Sequence, residues 1–264
     1  MNIELLKSEL IKDNCLSDLI FFDEIGSTNE YAKRHDLPDN TLLITDRQTR
    51  GSGRFSRFWE STPGKDLTFT LVKKFRIGID DIYLINFYTS YIIFNSIKNI
   101  CSGKSTENLF LKWPNDILIN GKKISGILTD VQDLRSETKN FIIGAGINVN
   151  CDEFSDGIKN KATSILKESG IEMDNTILLK NIILDFYKNL DLVADGKKLM
   201  SLWKSNTNII GKEISFRKFN DEEGKRYTVA NIDSDGGLIV VDKKNNRKKF
   251  NSGEISIGYE NQEV

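Results

Sequence analysis

The chain has 264 residues, enough to bury a substantial core, and one larger domain with a small appendage is the expected division. Its 37 basic and 38 acidic residues leave a net charge of -1, so no global field draws it to nucleic acid or to an anionic membrane. Three scattered cysteines and one histidine, His35, leave little raw material for a zinc site or a Ser-His-Asp triad.

Residues 1–16 mix lysines and glutamates with leucines, which predicts a short amphipathic helix and not a signal peptide. No apolar run approaches the roughly 20 residues needed to cross a bilayer. With Cys15, Cys101 and Cys151 outside any ligand spacing, a soluble, reduced, cytoplasmic protein is expected. Residues 19–25 read as a strand, and Ser27-Thr28 then offers an N-cap for a helix over 30–34. Residues 41–46 form a second strand. In 66–75, Leu67, Phe69 and Leu71 alternate with threonines and Val72, predicting a half-buried strand. A long apolar-periodic helix covers 80–100. Residues 109–111 and 117–119 are β-like, and Asn120-Gly121 is a strong hairpin turn that returns the chain over 122–131. Another strand spans 140–150, where Gly144 and Gly146 let something approach the backbone. Helical pattern follows over 175–192 and, around Trp203, over 197–205. Short β runs at 213–217, 227–232, 237–241 and 248–257, with turns such as Asp235-Gly236, suggest a barrel of about five strands. The boundary falls near Thr207, giving domains 1–207 and 208–264.

Two segments carry the chemistry. In Gln48-Thr-Arg-Gly-Ser-Gly-Arg-Phe-Ser-Arg-Phe-Trp59, Gly51 and Gly53 let consecutive N–H groups turn toward an anion. Arg54 and Arg57 add planar cations suited to carboxylate and phosphate. By composition alone the segment is an ordinary polar surface loop. In Lys112-Trp-Pro-Asn-Asp116, Pro114 fixes an extended or turn geometry before Asn115-Asp116. The Asn120-Gly121 turn then brings Lys123 beside the Asp116 strand. Strict alternation puts Lys123 on one face with Ser125, and Gly126 leaves bare backbone for a flat ligand. The plain alternative is a hairpin with a solvated lysine pair. Ser27-Thr28-Asn29 caps a helix and can also offer hydroxyl and amide groups to a small polar ligand. Together these residues suit a site where a carboxylate and a phosphate meet.

Three other patterns fail. Ser102-Gly-Lys-Ser105 resembles a P-loop tail, but Lys98 stands at the required upstream glycine and a helix leads into it. Gly144-Ala-Gly146 begins like a dinucleotide fingerprint, but Val149 occupies the third glycine position. The basic run 243–249 reads as a solvated β-hairpin.

From Phe22 to Ile257 the chain resembles the biotin–protein ligases. The resemblance rests on Ser27-Thr28-Asn29, residues 48–59, residues 112–116 and 123–128, Gly144-Ala-Gly-Ile-Asn148 and Ser252-Gly-Glu-Ile-Ser256. It implies an α+β catalytic domain, a mixed sheet flanked by helices, and a C-terminal SH3-like β-barrel. It implies the substrates biotin and ATP, with Mg²⁺ held by phosphates and water and no dedicated protein ligands. The partner implied is a biotin carboxyl carrier domain. Ser27, Thr28, Asn29 and Gln48 match positions at the biotin ureido group. Gly51, Ser52, Gly53 and Arg54 match the loop that folds over biotin and the adenylate. Lys123 matches the lysine between the biotin carboxylate and the α-phosphate. Gly126 and Gly144 match close backbone contacts. Arg54, Arg57, Trp59, Asn115 and Asn148 fall on the nucleotide side, and Asp116 matches an acid near the acceptor lysine.

Ser52, Phe55 and Ser56 replace two arginines and a glycine common in the family loop, which implies closure through packing of Phe55 or Phe58. About 18 residues precede the first core strand, too few for a winged helix-turn-helix, so no operator binding is expected. A lipoate or octanoate ligase, and a non-catalytic biotin- or nucleotide-binding module, are the alternatives. Monomer and homodimer both remain open.

Overall fold

The computed structural model describes residues 1–101, 108–217, 224–251 and 253–257. The P-loop-like residues Ser102 to Ser105, and Ser252 of the closing motif, lie outside them. The chain opens with helix α1 (Ile3–Lys12), then strand β1 (Asp18–Ile25), helix α2 (Thr28–Arg34), β2 (Thr41–Gln48) and β3 (Leu67–Arg76). Helix α3 (Tyr83–Ile100) leads to β4 (Leu109–Lys112), β5 (Asp116–Ile119), β6 (Lys122–Gln132) and β7 (Thr138–Ile147). Helices α4 (Ile165–Ser169), α5 (Asn175–Lys188), α6 (Asp191–Ala194) and α7 (Gly196–Ser205) follow. The remainder is β8 (Glu213–Arg217), β9 (Lys225–Ile232), β10 (Leu238–Val241), β11 (Arg247–Phe250) and β12 (Glu254–Ile257).

Strands β1 to β7 form one mixed sheet in the order β1-β2-β3-β7-β6-β5-β4, parallel between β1 and β2 and antiparallel elsewhere. Its two faces are unequal. On one, Leu67, Phe69 and Leu71 of β3 and Phe141, Ile143 and Ile147 of β7 join the main core beneath α1, α3, α5 and α7. On the other, α2 covers only a small cluster of Ala32, Leu43, Val72 and Ile142, leaving the rest of that face open for a site.

This corrects the expectation that β3 is half-buried. Its alternation is real, but every residue from Leu67 to Val72 is buried, because α2 and the site roof cover the threonine face. The long helix likewise splits, with a 3₁₀ turn at Ile79–Asp81 before α3.

The C-terminal sheet runs β11-β10-β9-β8-β12. The expected single strand over 248–257 is two, and they occupy opposite edges. Four residue steps from Phe250 to Glu254 reach about 14 Å, whereas four interstrand gaps in a flat sheet span about 19 Å. The sheet must therefore roll. Phe250 stacks on Phe216 of β8 with ring centroids 3.8 Å apart, as a closed small barrel requires. The barrel packs on the larger layer through Trp113, whose indole N–H donates to the Gly236 carbonyl at 2.8 Å, and Tyr83, whose hydroxyl donates to the Ser234 carbonyl.

Candidate active site

The open sheet face is organised by register. Thr68, Gly146, Gly126, Asp116 and Lys112 pair in one row across β3, β7, β6, β5 and β4. Thr70, Gly144 and Leu128 form the next row. Two glycines thus lie side by side, and one step along the sheet an acid and a lysine follow. Over this gap lies a cavity of about 280 Å³.

At its neutral end, Ser27 caps α2 by accepting from the Glu30 N–H. Thr28 donates to Gln48 Oε1 through its N–H at 2.8 Å and its hydroxyl at 3.1 Å. With Oε1 so occupied, Nε2 is the donor that Gln48 presents to the cavity. The buried Thr70 hydroxyl lies 2.7 Å from Thr28 Oγ1 and donates to Asn29 Oδ1 at 2.6 Å. Asn29 Nδ2 donates to the Leu128 carbonyl at 3.2 Å and to Asp130 at 3.4 Å. Asp130 in turn pairs with Lys33 at 2.9 Å. Each polar group fixes its neighbour, so this end is a preset pattern of neutral donors and acceptors.

The other end is charged. Lys123 Nζ lies 2.6 Å from Asp116 Oδ1. Burial alone would raise the Asp116 carboxyl, but the charges of Lys123 and Lys112, with Arg54 beyond, override it and hold the group below the usual carboxylate range. Arg54 Nη1 meets Asn115 Oδ1 at 3.5 Å and the Gly253 carbonyl at 3.1 Å. Lys123 and Arg54 line the same cavity, so the two cations expected to act together do share one space.

Lys123 reaches that space through a departure from regular pleating. A bulge between Ile117 and Leu118 skips Ile124, so Leu118 pairs with Lys123 while Ile117 pairs with Ser125. The Lys123 backbone N–H instead donates to the Lys161 carbonyl, and its carbonyl accepts from the Thr163 N–H. Lys123 therefore faces Gly126, where a built Cβ would lie 2.8 Å from Nζ. The expectation that Lys123 shares a face with Ser125 is wrong: Ser125 is fully buried, toward Ile117 and Ile147 of the main core.

The glycines' spaces are filled by the protein itself. A Cβ at Gly144 would collide with the Asn29 amide, and one at Gly146 with the Trp59 indole. Trp59 also covers Gly126, and its ring centroid is 5.4 Å from Lys123 Nζ. Its indole N–H is buried and has no partner among the described residues, a donor set over the gap between neutral and charged ends. Gly51 lies outside the lining. A Cβ there would meet the Trp59 carbonyl at 2.6 Å, so its role is to let the loop double back.

That loop is a small hairpin. Ser52 bridges Phe58, the Gly53 N–H donates to the Arg57 carbonyl at 2.7 Å, and the Trp59 N–H donates to the Gly51 carbonyl at 2.9 Å. Phe55 turns at its tip with φ 58°, a left-handed conformation that glycine adopts more easily. The Arg54 guanidinium carbon sits 4.9 Å from the Phe55 ring centroid. Of the two rings expected to pack on loop closure, Phe55 and Phe58, Phe58 is here 63% exposed.

Of the other expected residues, Ser52, Gly53, Arg57, Asn115 and Asn148 line the cavity. Asn115 donates to the Ile127 carbonyl at 2.6 Å, and Asn148 Nδ2 donates to the carbonyls of Thr163 and Lys123, so both brace the hairpin that carries Lys123. Residues not singled out from sequence include Thr68, Thr70, Glu60, Ile158, Lys161 and Ala162, and Lys112, named there only within its motif, also lines the cavity. Register with Gly144 and Gly146 would have found the two threonines, because the faces of β3 were readable. Nothing local in 158–162 announces its approach to Lys123.

Residues 21–148 match the family model described as biotin/lipoate A/B protein ligase. Over 260 residues the chain is 34% identical to the bifunctional ligase/repressor BirA of Bacillus spizizenii, covering 96% of this chain and 77% of that one. The chain belongs to the biotin–protein ligase family. The ligase is also 26% identical over 210 residues to the biotin–[acetyl-CoA-carboxylase] ligase of Paracoccus denitrificans, covering 77% of this chain and 85% of that one. Its fold superposes with a TM-score of 0.76 on biotin protein ligase from Aquifex aeolicus in complex with biotin and ATP, at 25% identity, covering 92% and 99% of the two chains. Among the described residues, no helix is long and apolar enough to cross a membrane.

Proposed function

We propose that this enzyme joins biotin to the α-phosphate of ATP and then passes biotin to a lysine of a biotin carboxyl carrier domain. The observation that carries the reading is one cavity with a neutral, preset end at Thr28, Asn29 and Gln48 and a cationic end at Lys123 and Arg54. A uncharged ureido ring suits the first and a carboxylate the second. The name of the Paracoccus relative supports a carboxylase as the destination.

In the first step a biotin carboxylate oxygen attacks the α-phosphorus and pyrophosphate leaves. Two anions must approach each other, and Lys123 and Arg54 offset their repulsion; one such contact is worth about 3–4 kcal/mol by comparison with oxyanion donors. In the second, a lysine amine attacks the carbonyl of the mixed anhydride and AMP leaves. The Trp59 roof and the hairpin exclude water from that anhydride. Asp116, kept ionised by its cations, orients the neutral acceptor amine by accepting one of its N–H groups, and the proton lost as the amide forms passes to solvent water, because a carboxylate held this acidic is a poor base. Mg²⁺ on the phosphates supplies further positive charge. Among the described residues no three His, Cys, Asp or Glu side chains cluster to hold an ion, and the acids lining the cavity, Glu60 and Asp116, are engaged with Ser155 and Lys123. That donor set fits an ion carried in by the nucleotide.

We read residues 1–207 as the ligase unit and 208–264 as the barrel that braces it. We further infer that these 264 residues do not bind an operator: α1 buries Leu6 and Leu10 in the catalytic layer, and the net charge is -1. A gel-shift at moderate salt showing sequence-specific binding would refute this. Cys15, Cys101 and Cys151 are buried free thiols, which suits a reducing cytoplasm.

The test is mass spectrometry of the protein incubated with biotin, ATP and Mg²⁺, with lipoate in parallel. Biotinyl-AMP is expected. Lipoyl-AMP alone would replace the reading with its lipoate rival, and no adenylate with either acid would favour a binding module.

A further inference from the structure

We propose that Phe58 is an apolar anchor on which the acceptor protein docks. The inference rests on the ligase reading above. Phe58, at 63%, is the most exposed large hydrophobic side chain among the described residues. Its exposure is not slackness. The backbone on either side is tied by the Ser52–Phe58 bridge, by Gly53 to Arg57 at 2.7 Å and by Trp59 to Gly51 at 2.9 Å. The hairpin tip is held to the barrel by Arg54 on the Gly253 carbonyl. Because neighbours in an extended segment point to opposite sides, Trp59 turns in over Gly146 and Phe58 must turn out. A ring 63% exposed at the opening of a cavity contributes little burial to this fold, and it gains when a partner covers it.

The occupant follows from the chemistry. An amine that reaches Asp116 and Lys123 on a lysine side chain leaves its own backbone at the opening, beside Phe58, which lines the same cavity. Arg57 and Lys161 line that cavity too and are exposed, so the opening is also cationic. The fitting partner is a folded domain whose lysine is flanked by an apolar contact and by acidic side chains.

The experiment compares wild type with Phe58→Ser in three assays. These are transfer to a biotin carboxyl carrier domain, biotin-dependent pyrophosphate release, and trapping of the adenylate by hydroxylamine, which needs no docking. For the variant, KM for the carrier domain is expected to rise at least about tenfold, several times more than any change in pyrophosphate release or hydroxamate formation. For wild type that KM should rise with salt. An unchanged KM overturns the proposal. So does an equal fall in hydroxamate formation, which would assign Phe58 to the adenylate site. Loss of a homodimer in sedimentation with KM unchanged would overturn it by giving the ring to a second copy. A wild type that forms no adenylate removes the ligase reading itself, and this proposal with it.

Discussion

The two ends of the cavity are built on opposite plans. Around Thr28, Asn29, Gln48 and Thr70, neutral groups hold one another in fixed order, and the chain ends on a backbone carbonyl and a surface ion pair. Around Asp116, full charges hold one another, with Lys123 Nζ 2.6 Å from Asp116 Oδ1. Neutral networks resist rearrangement because breaking one bond strands a buried partner. Lys123 is the more exposed member of its pair, and Lys112 and Arg54 keep the Asp116 carboxylate compensated if Lys123 turns to another anion. On the reading proposed above, recognition sits at the first end and chemistry at the second.

The largest expected effect follows from removing the exchangeable cation. Lys123→Met should lower adenylate formation about 10²–10³-fold, measured as biotin-dependent pyrophosphate release. Asp116 keeps Lys112 and Arg54 nearby, so the melting temperature should move little. A variant that unfolds would show Lys123 to be structural and would break the division.

Asp66 sharpens the comparison from outside the cluster. Its carboxylate accepts from the Thr62 N–H at 2.7 Å and the Val149 N–H at 3.0 Å, tying the segment after the hairpin to the exit of β7. Burial pushes this group up to about 6, although those N–H groups favour its charged form. It shows what Asp116 would become without three cations. A folded value above the unfolded one means that the native state binds the proton more tightly. The resulting stability is full below about pH 4 and lost as pH climbs through about 6, an amount of about 3 kcal/mol for two units. Asp66→Asn should abolish that part of the pH dependence. Urea unfolding of both proteins from pH 4 to 7 checks it, and parallel curves would remove the claim.

Gly144→Ala tests the neutral end sterically. The added methyl meets an Asn29 amide that Thr70 and the Leu128 carbonyl hold in place. Stability should fall by about 1–3 kcal/mol and biotin affinity by roughly tenfold or more. Calorimetric titration with biotin reads the second, and unchanged affinity would mean that Asn29 has room to move.

Much of this was legible before any coordinates. Every strand of the main sheet lay where alternation and turns put it, since β3 shows its faces openly and Asn120-Gly121 admits few other readings. Three things were not legible, each set by distant contacts. The bulge that turns Lys123 over Gly126 depends on Lys161 and Thr163 supplying backbone partners. The filling of the glycine gap by Asn29 and Trp59 depends on register across four strands. The break between β11 and β12 depends on a rolled sheet that brings Phe250 onto Phe216. Local sequence indicates which residues line the cavity far better than what fills the space over its glycines.

Thr70 gives the finest test, because it touches the head pocket only through others. Thr70→Val keeps the shape and removes one hydroxyl, leaving Asn29 Oδ1 without its donor. The expected loss is about 1–2 kcal/mol of stability. KM for biotin should rise about tenfold, an equivalent of about 1.4 kcal/mol, with kcat at saturating biotin nearly unchanged. A loss of uniform binding behaves that way, since substrate and transition state hold the ring alike. Thr70→Ser should restore KM by returning the hydroxyl. If kcat fell while KM stayed constant, the neutral network would be acting on the reacting carboxylate, and the separation of recognition from chemistry along this cavity would be wrong.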